Sequence, residues 1–156
     1  MVNELRRFRK SFGYAFKGVK YVIRTQRNFR FHMGFAGAVL VLSQMIRADR
    51  TLMLILLLCI GLVMALECVN TALESAVDLT TEEMLPLAGA AKDCAAAAVL
   101  IFAFFSAVIG GCVFFEKDNF MKIMGTFRDS PILIAAAAVY LVLWFMWVFV
   151  CFSKKK

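Results

Sequence analysis

Two stretches of the chain run for 22 residues apiece without a charge, Cys94–Phe115 and Pro131–Phe152. As helices rising 1.5 Å per residue they reach about 33 Å, enough for a hydrocarbon core of roughly 30 Å. Two more apolar stretches precede them. Met33–Ile46 is short for a crossing and needs its neighbours Arg30, His32 and Arg47 to snorkel. Thr51–Leu66 continues as a helix-compatible segment through Asp78. With 62% hydrophobic residues among 156, the chain lies well above the roughly 45–50% of soluble domains, which excludes an ordinary water-soluble enzyme. A helical membrane protein remains.

The first 31 residues are charged, yet they repeat with helical period. Phe8, Phe12, Ala15, Phe16, Val19, Val22 and Ile23 fall on one face, and Arg6, Arg9, Lys10, Lys17, Lys20 and Arg24 on the other. That pattern predicts an amphipathic surface helix, with Phe in the acyl boundary and each cation near anionic headgroups contributing about 1 kcal/mol. The same arrangement makes nucleic acid the weaker partner for this basic arm. No continuous apolar core or small-residue cleavage site marks a removable signal peptide in this segment.

Orientation follows from Lys and Arg. The N-terminal arm carries nine of the 18 and Lys154–Lys156 three more, so four crossings put both basic ends on the cytoplasmic side. Leu79–Ala91 is then cytoplasmic and Glu116–Ser130 external, with Trp144 and Trp147 near the inner end of the last span. Ser130 suits a helix cap and Pro131 a helix start. The chain is thus expected to be all-α, an integral membrane bundle of an N-terminal amphipathic surface helix (1–31) plus four transmembrane helices. The five cysteines are odd in number and form no Cys-x-x-Cys pair, and with His32 as the single histidine neither a disulfide framework nor a zinc site is expected.

The chemistry lies at the end of the second span. Glu67, Asn70, Glu74 and Asp78 fall within about 80° of one another on a helix, a polar stripe on an apolar cylinder. A carboxylate at mid-bilayer costs at least ~2.5–3.5 kcal/mol, so such a stripe needs cations: Lys92, metal ions, or both. Asp78 also fits an interfacial helix end, whereas Glu67, the deepest, points to function. Lys92 offers a fixed positive charge for a phosphate or for pairing with Glu74 or Asp78. An ion pathway would spread its carboxylates through the membrane depth, but these crowd one end.

Glu67-x-x-Asn70-x-x-x-Glu74-x-x-x-Asp78, followed by Ala91-Lys92-Asp93, resembles the bacterial membrane lipid kinases, diacylglycerol kinase and its relative undecaprenol kinase. Gly13-Tyr14-Ala15-Phe16-Lys17-Gly18 is similar to the family's surface-helix signature, and Asn28-Phe29-Arg30-Phe31-His32 resembles the undecaprenol-kinase branch. The likeness covers roughly residues 5–112, and the ordered spacing across three segments makes it more specific than any single motif.

The resemblance implies a three-span kinase core over 32–115, and the hydropathy and charge pattern adds an external loop at 116–130 and an additional transmembrane helix with basic tail at 131–156. It implies transfer of the ATP γ-phosphoryl group to a membrane lipid alcohol, undecaprenol first and diacylglycerol as the alternative, at the cytoplasmic face of a bacterial inner membrane. Glu67 would be the catalytic base and Glu74 the Mg²⁺ ligand. Asn70 and Asp78 would support the site, while Arg7, Tyr14, Glu74, Glu83, Lys92 and Asp93 would contact the nucleotide. Such kinases are typically homotrimers. Two positions depart from the pattern: the family's other metal-binding acid is matched by Gln26, which can ligate but adds no charge, and the fourth span has no counterpart in the three-span core. Both departures also fit a catalytically silent relative that serves membrane assembly.

Overall fold

A computed structural model of the protein describes residues 2–80 and 85–150, within which six helices follow one another. They are α1 (Val2–Thr25), α2 (Arg27–Met45), α3 (Arg50–Thr80), α4 (Pro86–Phe114), α5 (Lys117–Asp129) and α6 (Pro131–Phe149). Three are long and apolar enough to cross a membrane: Arg50–Leu79, Pro86–Phe114 and Pro131–Phe149. Leu100, Phe104, Leu141 and Phe145 on α4 and α6 are exposed, as lipid-facing side chains of a membrane bundle are.

The chain bends at Gln26, five residues before the boundary that periodicity suggests. Gln26 is extended (φ −100°, ψ 112°), although its N–H still reaches the Val22 carbonyl at 2.8 Å. Arg30 supplies the physical reason. Its buried guanidinium donates to the carbonyls of Ile23 (2.9 Å) and Arg24 (3.3 Å) at the end of α1, and to that of Val148 (3.1 Å) near the end of α6. Terminal carbonyls lack intrahelical donors and carry partial negative charge, so one cation here satisfies two helix ends together.

The α2–α3 turn passes through Arg47 in the left-handed region (φ 54°). Asp49 then accepts the Leu52 N–H at 2.7 Å, a side-chain cap for α3. Pro86 and Pro131 open α4 and α6, as proline at a first helical position should. Ser130 occupies the expected N-cap position in an extended conformation, but its side chain makes no capping hydrogen bond. The 116–130 segment is not an open loop, because α5 fills most of it. Ile123 is buried while Lys117, Asp118, Lys122 and Arg128 stay exposed, a short amphipathic helix whose high charge masks its apolar face in the sequence.

The largest interface joins α3 to α4, and α2 packs along α3. Where α2 ends and α3 begins, Ile46, Leu56, Phe114 and Ile123 form a dry plug. On its other side α2 receives α6. The Tyr140 hydroxyl donates to the Gly34 carbonyl at 2.6 Å, and the Trp144 indole N–H to the Arg30 carbonyl at 3.3 Å. The Trp144 ring lies against Phe31 and Phe35, with centroids 5.4 and 5.1 Å away. A Cβ on Gly34 would overlap that indole, and one on Gly37 would fall 2.6 Å from the Tyr140 oxygen. Glycine here lets an aromatic side chain lie directly on the backbone, as small residues do at membrane helix interfaces.

Gly34→Ala is expected to lower the thermal midpoint in detergent, by overpacking worth about 1–3 kcal/mol. Gly61→Ala, where an added Cβ meets nothing within 4 Å, is the control and should be neutral or mildly stabilising. Equal midpoints for the two variants would contradict this packing.

Candidate active site

The polar stripe on α3 grades from inside to outside. Glu67 is 3% exposed, Asn70 and Glu74 are intermediate, and the Asp78 side chain is 66% exposed. Burial of the stripe therefore falls from Glu67 toward the end of α3. Thr71 is buried beside Glu67, but its hydroxyl donates to the Glu67 backbone carbonyl at 2.8 Å and not to the carboxylate.

The Glu67 carboxylate faces α2. Its Oε1 lies 3.5 Å from His32 Nε2, with the two side chains 4% and 22% exposed. His32 is the site residue that sequence reasoning passed over, having weighed it as a zinc ligand, a flank of the first apolar stretch and part of a branch motif. The available signal was topological. His32 lies about four turns before the end of α2 and Glu67 about five turns past the start of α3, so an antiparallel hairpin brings them to similar depth.

Below this pair, between α2, α3 and α4, runs an apolar cleft of about 280 Å³. Phe31, Phe35, Val63 and Met64 line it, with His32 and Ser106 as its hydrogen-bonding side chains. Its α3 wall from Leu56 to Met64 extends about 12 Å along the helix, and Glu67 follows on the next turn. The cleft suits a hydrocarbon chain with a polar end held at Glu67.

Above Glu67 the site turns polar. Asn70 Nδ2 donates to Glu74 Oε1 at 3.0 Å, while Asn70 Oδ1 is buried with no hydrogen-bond partner. Among the described residues no group of three or more His, Cys, Asp or Glu side chains could hold a metal alone. Mg²⁺ keeps waters and is commonly bound through one or two carboxylates together with substrate phosphates. A free amide oxygen beside a carboxylate is a suitable donor pair for such an ion. Gln26 sits half-buried at the α1–α2 bend, where its side chain makes no capping bond.

Lys92, at the start of α4, pairs with Asp78 and not with Glu74, and Asp93 is exposed beside it. The α1 helix crosses over α3: Ala15, Gly18, Val19 and Val22 share a groove with Cys68, Thr71, Ala72 and Ser75. Arg7 and Tyr14 lie farther along α1, both exposed, Arg7 paired with Glu4 at 3.3 Å and Tyr14 beneath the Lys17 ammonium at 5.8 Å. The structure thus gathers Glu67, Asn70 and Glu74 on one stripe and joins Asp78 to Lys92, while Arg7 and Tyr14 keep partners within their own helix. Glu83 lies outside the described residues.

A buried carboxylate facing a histidine beside an apolar cleft, among helices long and apolar enough to cross a membrane, defines a helical membrane protein with a polar site between its helices. Residues 13–114 match the family described as prokaryotic diacylglycerol kinase. The chain is 46% identical over 115 residues to the undecaprenol kinase of Bacillus subtilis (strain 168), which covers 74% of this chain and 94% of that protein. It is also 46% identical over 104 residues to the diacylglycerol kinase of Synechocystis, 66% of this chain and 59% of that longer protein. With the diacylglycerol kinase of Escherichia coli (strain K12) the identity is 34% over 104 residues, 67% of this chain and 84% of that one. No solved structure matches the chain. The chain belongs to the prokaryotic diacylglycerol kinase family and is a membrane lipid kinase.

The Lys92–Asp78 pair is partly solvated, so a double-mutant cycle with Lys92→Met and Asp78→Asn should give a coupling of only ~0–1 kcal/mol in thermal stability. A coupling above about 3 kcal/mol would mean that the pair is desolvated.

Proposed function

We propose that the protein moves the γ-phosphoryl group of ATP onto the hydroxyl of a long-chain lipid alcohol, with Glu67 as the base. The observation that carries this is the buried Glu67 carboxylate, 3.5 Å from the His32 imidazole that lines an apolar cleft. The lipid chain lies in the cleft, so its hydroxyl is presented to Glu67. The carboxylate accepts the hydroxyl proton as the oxygen attacks. Phosphoryl transfer otherwise needs alignment and charge neutralisation.

Glu74 would hold Mg²⁺, with Asn70 and Gln26 as neutral oxygen donors and Asp78 as a support. When bound, the ion supplies neutralisation of phosphate charge. Lys92, Asp93, Arg7, Tyr14 and Glu83 would meet the nucleotide, Lys92 by exchanging its Asp78 partner for a phosphate oxygen.

Four crossings by α2, α3, α4 and α6 leave both basic ends on the cytoplasmic side of a bacterial inner membrane. The 19 residues of α2 reach about 28 Å as a helix, with Arg27, Arg30 and His32 near its inner end. On this topology α1 lies on the inner surface as the amphipathic helix and α5 on the outer one. Undecaprenol is the favoured substrate because the undecaprenol kinase relative is matched over 94% of its length. A homo-oligomer, a trimer by resemblance, is the expected assembly.

Purified protein in mixed micelles, given ATP–Mg²⁺ with undecaprenol and diacylglycerol in competition, should phosphorylate undecaprenol preferentially. Glu67→Gln should lower kcat by roughly 10²–10⁴-fold with ATP binding retained. Full activity in that variant would remove the base assignment, and absence of turnover on either lipid would favour a silent assembly role. Gln26→Glu should lower the Mg²⁺ concentration needed for half-maximal rate, by supplying a charged ligand.

A further inference from the structure

Glu67 has neighbours that look able to orient its carboxylate, yet most are committed elsewhere. The Thr71 hydroxyl donates to a backbone carbonyl, the Asn70 amide donates to Glu74, and Lys92 is tied to Asp78 about three turns away. The His32 imidazole is in polar contact with the Glu67 carboxylate. Its ring is fixed by packing: it stands edge-on to Phe31, with centroids 5.9 Å apart and planes at 77°, and forms part of the cleft wall. At 3.5 Å the contact is looser than a tight hydrogen bond, as catalytic pairs often are before substrate closes the site.

We propose that His32 is the positioning residue for Glu67. Its Nε2–H takes Oε1, leaving Oε2 turned toward the head of the cleft where the lipid hydroxyl arrives. This rests on Glu67 being the base. In the reaction the hydroxyl proton passes to Glu67 Oε2, and the substrate oxygen forms the new bond to the γ-phosphorus. The bond from that phosphorus to the β,γ-bridging oxygen breaks, its electron pair leaving with ADP. His32 keeps its Nε2 proton throughout. A carboxylate with no fixed donor in a lipid-lined site would sample rotamers that present neither oxygen to the substrate.

The test uses full-length protein in mixed micelles with ATP–Mg²⁺ and whichever lipid alcohol the wild type phosphorylates, comparing His32→Phe, His32→Asn and His32→Gln. His32→Phe keeps the ring volume and removes the donor, so kcat should fall roughly 10- to 100-fold while KM for both substrates stays within about threefold. His32→Gln places an amide donor at comparable reach and should recover kcat to within about tenfold of wild type. His32→Asn is polar but too short and should behave like Phe, so it serves as the reading if His32→Phe does not fold. Wild-type kcat in the Phe or Asn variant overturns the proposal, as does a Gln variant no better than Asn, or a change confined to KM. If Glu67→Gln is fully active, the base assignment fails first and the positioning role falls with it. If Glu67→Gln is dead while His32→Phe is unimpaired, only the role of His32 fails.

Discussion

A carboxylate that has left water without a partner is among the most expensive groups a membrane helix can carry, and the bundle is arranged around meeting that demand at Glu67. The His32 imidazole on α2 faces the carboxylate, with Nε2 3.5 Å from Oε1 across the antiparallel α2–α3 pair. Sliding α3 along α2 by a single turn would carry the carboxylate about 5 Å from its partner and leave it against the apolar lining of the cleft. A polar pair at this place favours one alignment of the two helices over others. Polar groups are well suited to this, since the penalty for a mismatch exceeds what any one methyl contact contributes.

From this pair the molecule divides into two ends of opposite character. Toward the α2–α3 turn the helices close on Ile46, Leu56, Phe114 and Ile123, with α5 laid across them. Toward the other end α3 carries Asn70, Glu74 and Asp78, Lys92 of α4 pairs with Asp78, and α1 crosses over α3. The dry end fixes the helices and the polar end offers groups for chemistry, so the site stands on rigid elements and not on a loop. Arg30 extends that rigidity by tying the ends of α1 and α6 to the start of α2, so the surface helix has a fixed point of departure.

Much of this was legible in the residues. Pro131 after Ser130 marked the start of α6 correctly, and the spacing of Glu67, Asn70, Glu74 and Asp78 described one stripe whose burial falls steadily along the helix. The less visible features depend on contacts distant in sequence. The bend at Gln26 is stabilised by Arg30 reaching two helix ends, one of them 118 residues away, which helical periodicity does not register. The helix in the 116–130 segment is short and charged, and its apolar side acquires meaning only against the plug formed by α2, α3 and α4. His32 was invisible for the same reason. A lone histidine at the edge of an apolar run does not announce its partner, which is identified only when the hairpin is closed.

The helix beyond the family-matched segment has a further consequence for how this chain meets others of its kind. Gly34 and Gly37 create on α2 the sort of shallow channel that a neighbouring membrane helix would press into, and Tyr140 and Trp144 of α6 already fill it. The occupant is joined covalently, so its hold does not weaken on dilution in the bilayer as that of a diffusing neighbour would. Each molecule arrives with one flank upholstered, and any ring of copies must be built from the flanks that are left.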